Sequence, residues 1–414
     1  MRVTHVSLTD FRSYPEAHIE FGPGVTTLVG RNGHGKTNVV EAVRYLSTLS
    51  SHRVAVDAPM IRAGAERAVV AARVQRGDRA LTIEITMLPG KANQARLNRG
   101  AARPRDLLGI LRTVVFAPED LALVKGDPAV RRTFMDEVCV AVQPTLAGDI
   151  ADYDRVLRQR STLLKSAKGK ARIDETMLSV WDEKLADLGA RIMRARLAVV
   201  EQLKPLVARA YADVAPGEGT CTIAYRTPLE VVDHLLESPP TDAPVVDDLL
   251  PPTPRLREAL LARMQELRTQ ELDRGVCLVG PHRDDLDISI GDLPAKGYAS
   301  HGESWSCALA LRLATYDLLT DNGDDGDDGE PVLILDDVFA ELDTGRRDAL
   351  AQRIVGASQV LITAAVGADV PDQLQHHPRG NHTLYVTPGV VATEAPDAVV
   401  KKEQMAGTDE DLPS

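Results

Sequence analysis

The chain has 414 residues, of which 44% are hydrophobic and 26% charged, a globular composition that excludes collagen-like and wholly disordered proteins. At roughly 150 residues a domain, this length predicts two or three domains. The cysteines lie far apart without a C-x-x-C pair, which argues against a disulfide framework, a zinc ribbon and a thioredoxin-type redox motif. They are Cys139, Cys221, Cys277 and Cys307.

Neither a basic-then-apolar leader nor a run of about 18 apolar residues occurs in the sequence. We therefore expect a cytoplasmic protein that does not enter the membrane.

The formal net charge of −12 is unevenly distributed along the chain. Residues 321–330 carry six acids and residues 233–248 carry five, whereas residues 52–113 hold twelve Lys and Arg against five Asp and Glu. Affinity for nucleic acid depends on local positive potential, so an acidic protein can still bind phosphates through such a stretch. The stretch can also be a solvated surface, and the sequence leaves both interpretations open.

The first ninety residues have the pattern of an α/β lobe. Three apolar runs bounded by glycine and proline predict strands at Val3–Leu8, Ala17–Phe21 and Val25–Val29. From Asn38 to Leu49 apolar residues recur at helical spacing, with Glu41 and Arg44 on other faces. Alternation over residues 68–88 predicts a hairpin that turns at Gly77-Asp78.

A helical pattern follows from Asp127, which can cap a helix whose first residue is Pro128. Its apolar face is predicted to contain Val130, Phe134, Val138 and Val142. A longer pattern from Trp181 to Val199 reaches Pro205 before any break and predicts a helical hairpin arm or bundle.

The connections around this arm are polar or rich in proline. The arm's turn, residues 166–174, contains Lys168, Lys170 and Arg172, which either contact phosphate or keep the tip soluble. Residues 238–254 contain six prolines and predict an extended linker. Beyond it we predict a helix at 255–274 and strands at 276–279, 286–290 and 332–335, so the α/β lobe resumes.

Residues 30–37, GRNGHGKT, match the phosphate-loop pattern G-x-x-x-x-G-K-[ST] between a predicted strand and a predicted helix. The glycines let backbone N–H groups converge on phosphates, and the helix N-terminus adds positive potential. Lys36 is expected to span the β- and γ-phosphates, and Thr37 to ligate Mg²⁺. The predicted nucleotide-binding residues here are Gly30, Arg31, Asn32, Gly33, His34, Gly35, Lys36 and Thr37.

A phosphate loop needs a carboxylate near the metal, and the apolar run at 331–335 ends in Asp336 and Asp337. We predict that Asp336 holds the metal's water shell. Asp337 is then the candidate catalytic base that orients or deprotonates the attacking water.

Ser300, Gly302 and Glu303 stand at the start of a helix predicted at 305–319. A serine hydroxyl and a glycine backbone at a helix N-terminus can bind a second anion, and they can equally be an ordinary helix cap.

Several of these motifs resemble, in order and spacing, the RecF family of DNA replication and repair proteins. The RecF family belongs to the ABC-type ATPases, with SMC and Rad50 heads. The matching pieces are the phosphate loop with Asn38 and Glu41, LTDFR at 8–12, SHR at 51–53, FAPED at 116–120, RRTFMD at 131–136, GPHRDDL at 280–286, SHGES at 300–304, LILDDVFAELD at 333–343 and LIT at 361–363. The resemblance implies an α/β fold, an ABC-type P-loop ATPase head with an inserted helical lobe or arm.

The resemblance also implies a lobe order. The first part of the ATPase lobe is expected at 1–115, a helical lobe or arm at 116–274, the second ATPase part at 275–392 and a disordered acidic tail at 393–414.

Further site residues follow from the resemblance alone. Ser300, Gly302 and Glu303 look like the ABC signature, which completes the ATP site of the opposite subunit in a head-to-tail homodimer. Asn38 and Arg12 resemble nucleotide-binding residues of the family, and Asp343 resembles its D-loop aspartate. Thr363 stands where transporter ATPases carry a switch histidine. No Q-loop glutamine is assigned. Asp337 stands where many ABC ATPases have glutamate, which is consistent with slow turnover.

The function implied by the resemblance is an ATP-gated DNA clamp for duplex and gapped DNA at the nucleoid. RecO and RecR are the implied partners in loading RecA recombinase. Arg62, Arg73 and Arg99 are the candidate DNA contacts in the basic stretch.

Other functions fit less of the sequence. An SMC-like DNA-organising ATPase needs hundreds of residues of heptads, which the predicted arm lacks. In a transporter ATPase the signature follows the phosphate loop more closely, and a nuclease or helicase needs a further metal-carboxylate cluster or a motor domain. For His282 a structural hydrogen bond is favoured over a zinc ligand, because no matching Cys or His is near it in sequence.

Overall fold

A computed structural model describes residues 1–167, 175–232, 250–321 and 329–395 of the protein. The chain forms two compact units: unit 1 comprises residues 1–120 and 319–414, and unit 2 comprises residues 121–318. These units divide the chain at other positions than the predicted lobes, since residues 275–318 belong to unit 2. The predicted boundaries of the ATPase parts and the helical lobe therefore remain a prediction.

Unit 1 contains most of the strands, and helices dominate unit 2. In chain order the strands are β1 (Arg2–Phe11), β2 (Tyr14–Glu20), β3 (Gly24–Val29), β4 (Ala68–Arg76), β5 (Arg79–Met87), β6 (Gln94–Leu97), β7 (Gly100–Ala102), β8 (Thr113–Phe116), β9 (Cys221–Arg226), β10 (Asp285–Ile290), β11 (Leu293–Pro294), β12 (Val332–Asp336), β13 (Gln359–Ala364), β14 (Asn381–Thr387) and β15 (Val390–Ala392). The helices are α1 (Lys36–Thr48), α2 (Leu121–Lys125), α3 (Pro128–Val142), α4 (Leu146–Ala167), α5 (Glu175–Val214), α6 (Thr253–Glu266), α7 (Arg268–Arg274), α8 (Ala295–Tyr298), α9 (His301–Asp321), α10 (Val338–Glu341), α11 (Thr344–Ile354) and α12 (Asp372–Gln375).

Unit 1 contains two six-stranded sheets. One has the order β15-β14-β3-β13-β12-β8, in which all neighbours are parallel except β14 and β15. Every residue of β12 and β13 is buried, as expected of parallel strands covered on both faces. Because β3, β12 and β13 run in the same direction, their carboxyl ends lie along one edge of the sheet.

The second sheet of unit 1 is antiparallel, with the order β2-β1-β4-β5-β6-β7. Its strands alternate between buried apolar and more exposed polar residues, so that one face joins the core. Val6, Val70 and Ile83 on this face belong to the same apolar cluster as Val39 and Val43 of α1. The helix that follows the phosphate loop is therefore anchored in the hydrophobic core.

Unit 2 is built around α4 and α5, of 22 and 40 residues. A fully buried arginine of α4, Arg160, forms ion pairs with Asp182 of α5 at 2.7 Å and with Glu271 of α7 at 2.5 Å. A three-stranded antiparallel sheet of the order β11-β10-β9 completes the unit. Within 1–167, 175–232, 250–321 and 329–395, none of the helices combines the length and the apolar composition needed to span a bilayer.

Most predicted elements are confirmed with small shifts of their bounds. The three N-terminal strands, the hairpin with Arg76 paired to Arg79, the helices after the phosphate loop and after Asp127, and the acidic strand are all present. Lys168, Lys170, Arg172, residues 233–249 and the acidic tail from residue 396 onward lie outside the described residues.

Other predictions about the elements are wrong. Residues 276–279 are not a strand, because side chains occupy their backbone groups: Glu271 accepts a hydrogen bond from the Leu278 N–H at 2.7 Å, and Arg283 donates to the Cys277 carbonyl at 2.6 and 2.9 Å. Pro205 does not end its helix, which continues to Val214.

Two further helix predictions need correction. The predicted helix over 255–274 begins earlier, at Thr253, and is divided into α6 and α7 at Leu267, a position that no breaker residue marks. In α3 the predicted apolar face is only partly buried, since Val130 and Val142 are exposed.

His282 of unit 2 forms two hydrogen bonds. Its Nδ1 lies 2.7 Å from the Tyr153 hydroxyl, and its Nε2 lies 3.3 Å from the Cys277 carbonyl oxygen. A neutral ring with its proton on Nε2 satisfies both, because Nδ1 then accepts from Tyr153 and Nε2 donates to the carbonyl. Burial lowers the pKa of His282 to about 4. The favoured structural hydrogen bond is therefore present.

We predict that this histidine makes stability depend on pH. An unfolded histidine has a pKa of about 6.5, so the unfolded state binds the proton more tightly, and stability is lost as the pH falls from 6.5 toward 4. Between pH 7 and 5 the contribution is about 2 kcal/mol. Urea unfolding of His282→Gln should show a pH dependence smaller by that amount, whereas the exposed His376→Gln should keep the wild-type dependence. Parallel profiles for wild type and His282→Gln would contradict the assignment.

Candidate nucleotide site and signature helix

The predicted phosphate loop lies at the carboxyl end of β3 and leads directly into α1. Gly35 is the N-cap residue of α1 with φ of 105°, a backbone conformation that side chains disfavour, and its Cβ would lie 2.9 Å from the Tyr14 hydroxyl oxygen. A Cβ at Gly30 would lie 2.3 Å from the Val386 carbonyl oxygen. The first turn of α1 contains no acidic side chain that would compete with a bound anion.

Lys36 is 3% exposed, and its ammonium lies inside the loop. It donates hydrogen bonds to the Gly30 carbonyl at 2.8 Å, the Arg31 carbonyl at 3.5 Å and the Asn32 side-chain oxygen at 3.3 Å. A buried cation surrounded by loop oxygens is suited to bind the phosphates of a nucleotide when they enter the loop. His34, in contrast, contacts the Val386 carbonyl through Nδ1 at 3.2 Å.

The ends of β3, β12 and β13 bring three site residues together. Asp336 Oδ1 accepts hydrogen bonds from the Thr37 hydroxyl at 3.0 Å and from the Thr363 hydroxyl at 2.7 Å. The Thr363 hydroxyl, at the switch position, has a single proton and directs it to the carboxylate of Asp336 at the end of the acidic strand. A threonine hydroxyl and a buried carboxylate are the oxygen ligands that Mg²⁺ prefers, with water and phosphate completing the shell. The residues present therefore fit a magnesium ion.

Asp337 follows Asp336 in the left-handed backbone region, with φ of 52°. Its backbone N–H donates to the Thr363 hydroxyl at 2.9 Å, so Thr363 contacts both acidic residues. Burial raises the pKa of Asp337, Lys36 opposes the rise and Asp336 adds to it. A carboxylate with a raised pKa is a better base, which suits the predicted role.

A second cluster connects Arg12 to α1. The Arg12 guanidinium donates to both carboxylate oxygens of Glu41, at 2.6 and 2.9 Å, and to the Pro59 carbonyl at 2.9 Å. Glu41 also accepts from the Ser51 hydroxyl at 2.5 Å and from Arg53 at 3.4 Å. Burial by itself raises the pKa of Glu41, but the hydrogen bonds from Arg12 and Ser51 outweigh it and leave the pKa below its usual value.

Asn38 of α1 joins the same cluster. Its amide nitrogen donates to the Ser13 hydroxyl at 3.0 Å, and its oxygen accepts from Arg53 at 3.0 Å. The cluster therefore fixes the side chain of a predicted nucleotide-binding residue next to the loop.

The sequence pattern does not reveal the structural roles of Glu41 and His52. It places Glu41 away from the apolar face of α1, yet Glu41 is fully buried, as is nearly all of Arg44. His52 matched the family without a role, and its ring lies 3.8 Å from Asp336. Both residues stand in quoted motifs, but their partners are far away in sequence, and helical periodicity cannot reveal them.

The predicted signature belongs to unit 2, at the start of α9. The Ser300 hydroxyl accepts from the Glu303 N–H at 3.2 Å, and the Glu303 carboxylate accepts from the Ser300 N–H at 2.8 Å. This is a capping box, so the capping interpretation is correct for these two side chains. Ser300 is nevertheless exposed and Gly302 partly exposed, which leaves the corner accessible to a partner.

The remaining predicted site residues lie in unit 1. Asp343 caps α11, accepting from the Arg346 N–H at 3.0 Å, and this hydrogen bond lowers the pKa of Asp343. Of the candidate DNA contacts, Arg62 forms an ion pair with Asp10 at 2.6 Å. Arg73 on β4 and Arg99 in the turn between β6 and β7 are exposed.

The buried parallel sheet ends in a phosphate loop on β3 and in paired carboxylates on β12, two strands away. This is the architecture of an ABC-type ATPase head. The RecF/RecN/SMC N terminal domain model matches residues 2–370. The chain therefore belongs to that family, and within it to the RecF proteins.

Curated relatives cover nearly the whole chain. The DNA replication and repair protein RecF of Kineococcus radiotolerans is 54% identical over 396 residues, covering 94% of this chain and 98% of that protein. RecF of Frankia alni is 56% identical over 379 residues, with 90% and 96% covered.

Solved structures agree with this assignment. The structure of the recombination mediator protein RecF-ATP in the RecFOR pathway has a TM-score of 0.80 at 27% identity and covers 95% of this chain and 97% of its own. The Smc head domain of Pyrococcus furiosus has a TM-score of 0.52 at 16% identity, covers 98% of this chain and 99% of its own, and shares the fold.

We predict that Glu41 stabilises unit 1 through the arginine cluster. Glu41→Ala leaves the largely buried Arg12 without its carboxylate, and breaking such a pair costs about 3–5 kcal/mol. Glu84→Ala is the control, because the exposed Glu84–Arg96 pair, at 3.9 Å, contributes at most about 1 kcal/mol. Urea unfolding followed by circular dichroism measures both. Equal losses in the two variants would show that the cluster does not stabilise the unit.

Proposed function

We propose that the protein is an ATP-dependent DNA-binding protein of DNA replication and recombinational repair that works as an ATP-driven head-to-tail homodimer. The observation that carries this proposal is the exposed corner at Ser300 and Gly302, presented at the N-terminus of the 21-residue α9. A helix N-terminus with a serine hydroxyl favours a phosphate group. In the proposal, the corner of one copy contacts the triphosphate held by the phosphate loop of the other.

The residues around the loop support ATP binding and slow hydrolysis. Lys36 would contact the β- and γ-phosphates. Thr37 would hold Mg²⁺ directly and Asp336 through the water shell of the ion, which would neutralise phosphate charge. Asp337 takes the proton of a water whose oxygen attacks the γ-phosphorus, and the bond from this phosphorus to the bridging oxygen of ADP breaks. An aspartate at position 337 in place of glutamate is consistent with the proposed slow rate.

The affinity for DNA then depends on the bound nucleotide. ATP closes the dimer around DNA, and hydrolysis reopens it, because each state of the nucleotide favours one conformation. Duplex and gapped DNA are the proposed ligands, RecO and RecR the proposed partners, and loading of RecA at the nucleoid the proposed outcome. The names of the RecF relatives and of the solved structure in the RecFOR pathway support this assignment.

The dimer proposal predicts different defects for two variants. Lys36→Ala should abolish ATP binding, because the loop loses its cation. Ser300→Arg should leave ATP binding by the monomer unchanged but prevent the ATP-dependent dimer, because a long cation occupies the corner. Nucleotide fluorescence titration and light scattering measure the two properties. Ser179→Arg, at an exposed serine of α5, is the control, and normal dimerisation of Ser300→Arg would contradict the proposal.

The DNA proposal predicts a role for the basic stretch. Arg73→Glu with Arg99→Glu should weaken ATP-dependent DNA binding about tenfold or more, since phosphate contacts dominate affinity, and should reduce its salt dependence. Arg62 is replaced separately, because Arg62→Glu also breaks its pair with Asp10. The pair Arg155→Glu and Arg158→Glu changes the net charge equally at exposed positions of α4. Unchanged affinity of the first double variant would rule out that surface.

A further inference from the structure

The imidazole of His52 is buried beside the proposed magnesium site. Its side chain is 8% exposed, and neither ring nitrogen has a hydrogen-bond partner among the described residues. Burying polar nitrogens without partners is costly, so an unsatisfied ring at such a position indicates a partner outside the described residues, such as a water molecule or a ligand. Nε2 of His52 lies 3.8 Å from Oδ2 of Asp336.

The segment around His52 is held from both sides. The Ser51 hydroxyl donates to Glu41 and accepts from the N–H groups of Arg53 at 3.0 Å and Val54 at 3.2 Å. The Arg53 guanidinium contacts Glu41 and Asn38. The flanking residues are thus tied to α1, which fixes the position of the imidazole between them.

Asp336 presents its second oxygen to this ring. Its Oδ1 accepts from Thr37 and Thr363, whereas Oδ2 is the oxygen nearest to His52. A separation of 3.8 Å is too long for a direct hydrogen bond, and polar groups more than 3.5 Å apart often share a water molecule. Such a water has two protons, which suit one carboxylate oxygen and one neutral ring nitrogen.

We propose that His52 is a positioning residue that, together with Asp336 Oδ2, accepts hydrogen bonds from a water ligand of the magnesium ion. This inference rests on the proposed magnesium site. In this proposal, the segment after α1 contacts the water shell of the metal. No Q-loop glutamine has been assigned in this chain. Groups that orient metal ligands in this way typically change metal affinity 10–100-fold when they are removed.

The test uses Mn²⁺ as the metal probe and the full chain with ATP. Electron paramagnetic resonance measures free Mn²⁺, and a fluorescent ATP analogue in EDTA measures nucleotide affinity without metal. His52→Leu should weaken Mn²⁺ binding to the protein–ATP complex about 10-fold or more and leave the metal-free nucleotide affinity unchanged. His52→Gln, whose amide oxygen accepts a hydrogen bond from water, should retain Mn²⁺ affinity within about threefold of wild type.

Two control variants separate the possible failures. His376→Leu, at an exposed histidine of unit 1, should match wild type in both measurements. Asp336→Asn should weaken Mn²⁺ binding, and if it does not, the magnesium site itself is wrong. If Asp336→Asn loses affinity but His52→Leu does not, only the role of His52 is wrong. Equal losses with and without metal in His52→Leu, or no recovery in His52→Gln, would also overturn that role.

Discussion

The hydrogen bonds at Asp336 are the constraint on which the candidate site depends. One carboxylate oxygen joins Thr37, at the start of α1, to Thr363, at the end of β13. Thr37 is about 300 positions away from the other two residues in sequence, and the parallel sheet brings all three together because its strands share one direction. A change in the register between β3, β13 and β12 would therefore separate the phosphate loop from its carboxylates.

Two sets of buried ionised side chains in this protein are held in ion pairs. Glu41 is fully buried with Arg12 in unit 1, and Arg160 is fully buried between Asp182 and Glu271 in unit 2. Such pairs contribute little net stability compared with apolar residues, but removing one partner leaves an uncompensated charge. In unit 1, Glu41 also holds the segment that contains His52. The ion-pair cluster therefore determines the position of the His52 ring beside Asp336.

The parts of the site that the sequence predicts are those with a local pattern. The phosphate loop is eight consecutive residues between a strand and a helix, and Asp336 ends an apolar run, so neither needs knowledge of distant contacts. Glu41 and His52 were not assigned roles because their partners come from other elements. The strand expected at 276–279 is absent because the side chains of Glu271 and Arg283 bind backbone groups that a strand would use.

The helix α9 combines a buried body with an exposed first turn. Residues 304–311 of α9 are buried, and the Cys307 sulfur lies 2.9 Å from the Cys221 sulfur of β9. The Cys221 contact and burial raise the pKa of Cys307, so this thiol stays protonated and packs as an apolar group. Its buried body anchors α9, while the capping box at Ser300 and Glu303 orders the exposed first turn. The first turn of α9 is therefore ordered before any ligand or partner binds, which lowers the ordering cost of the proposed contact with phosphate.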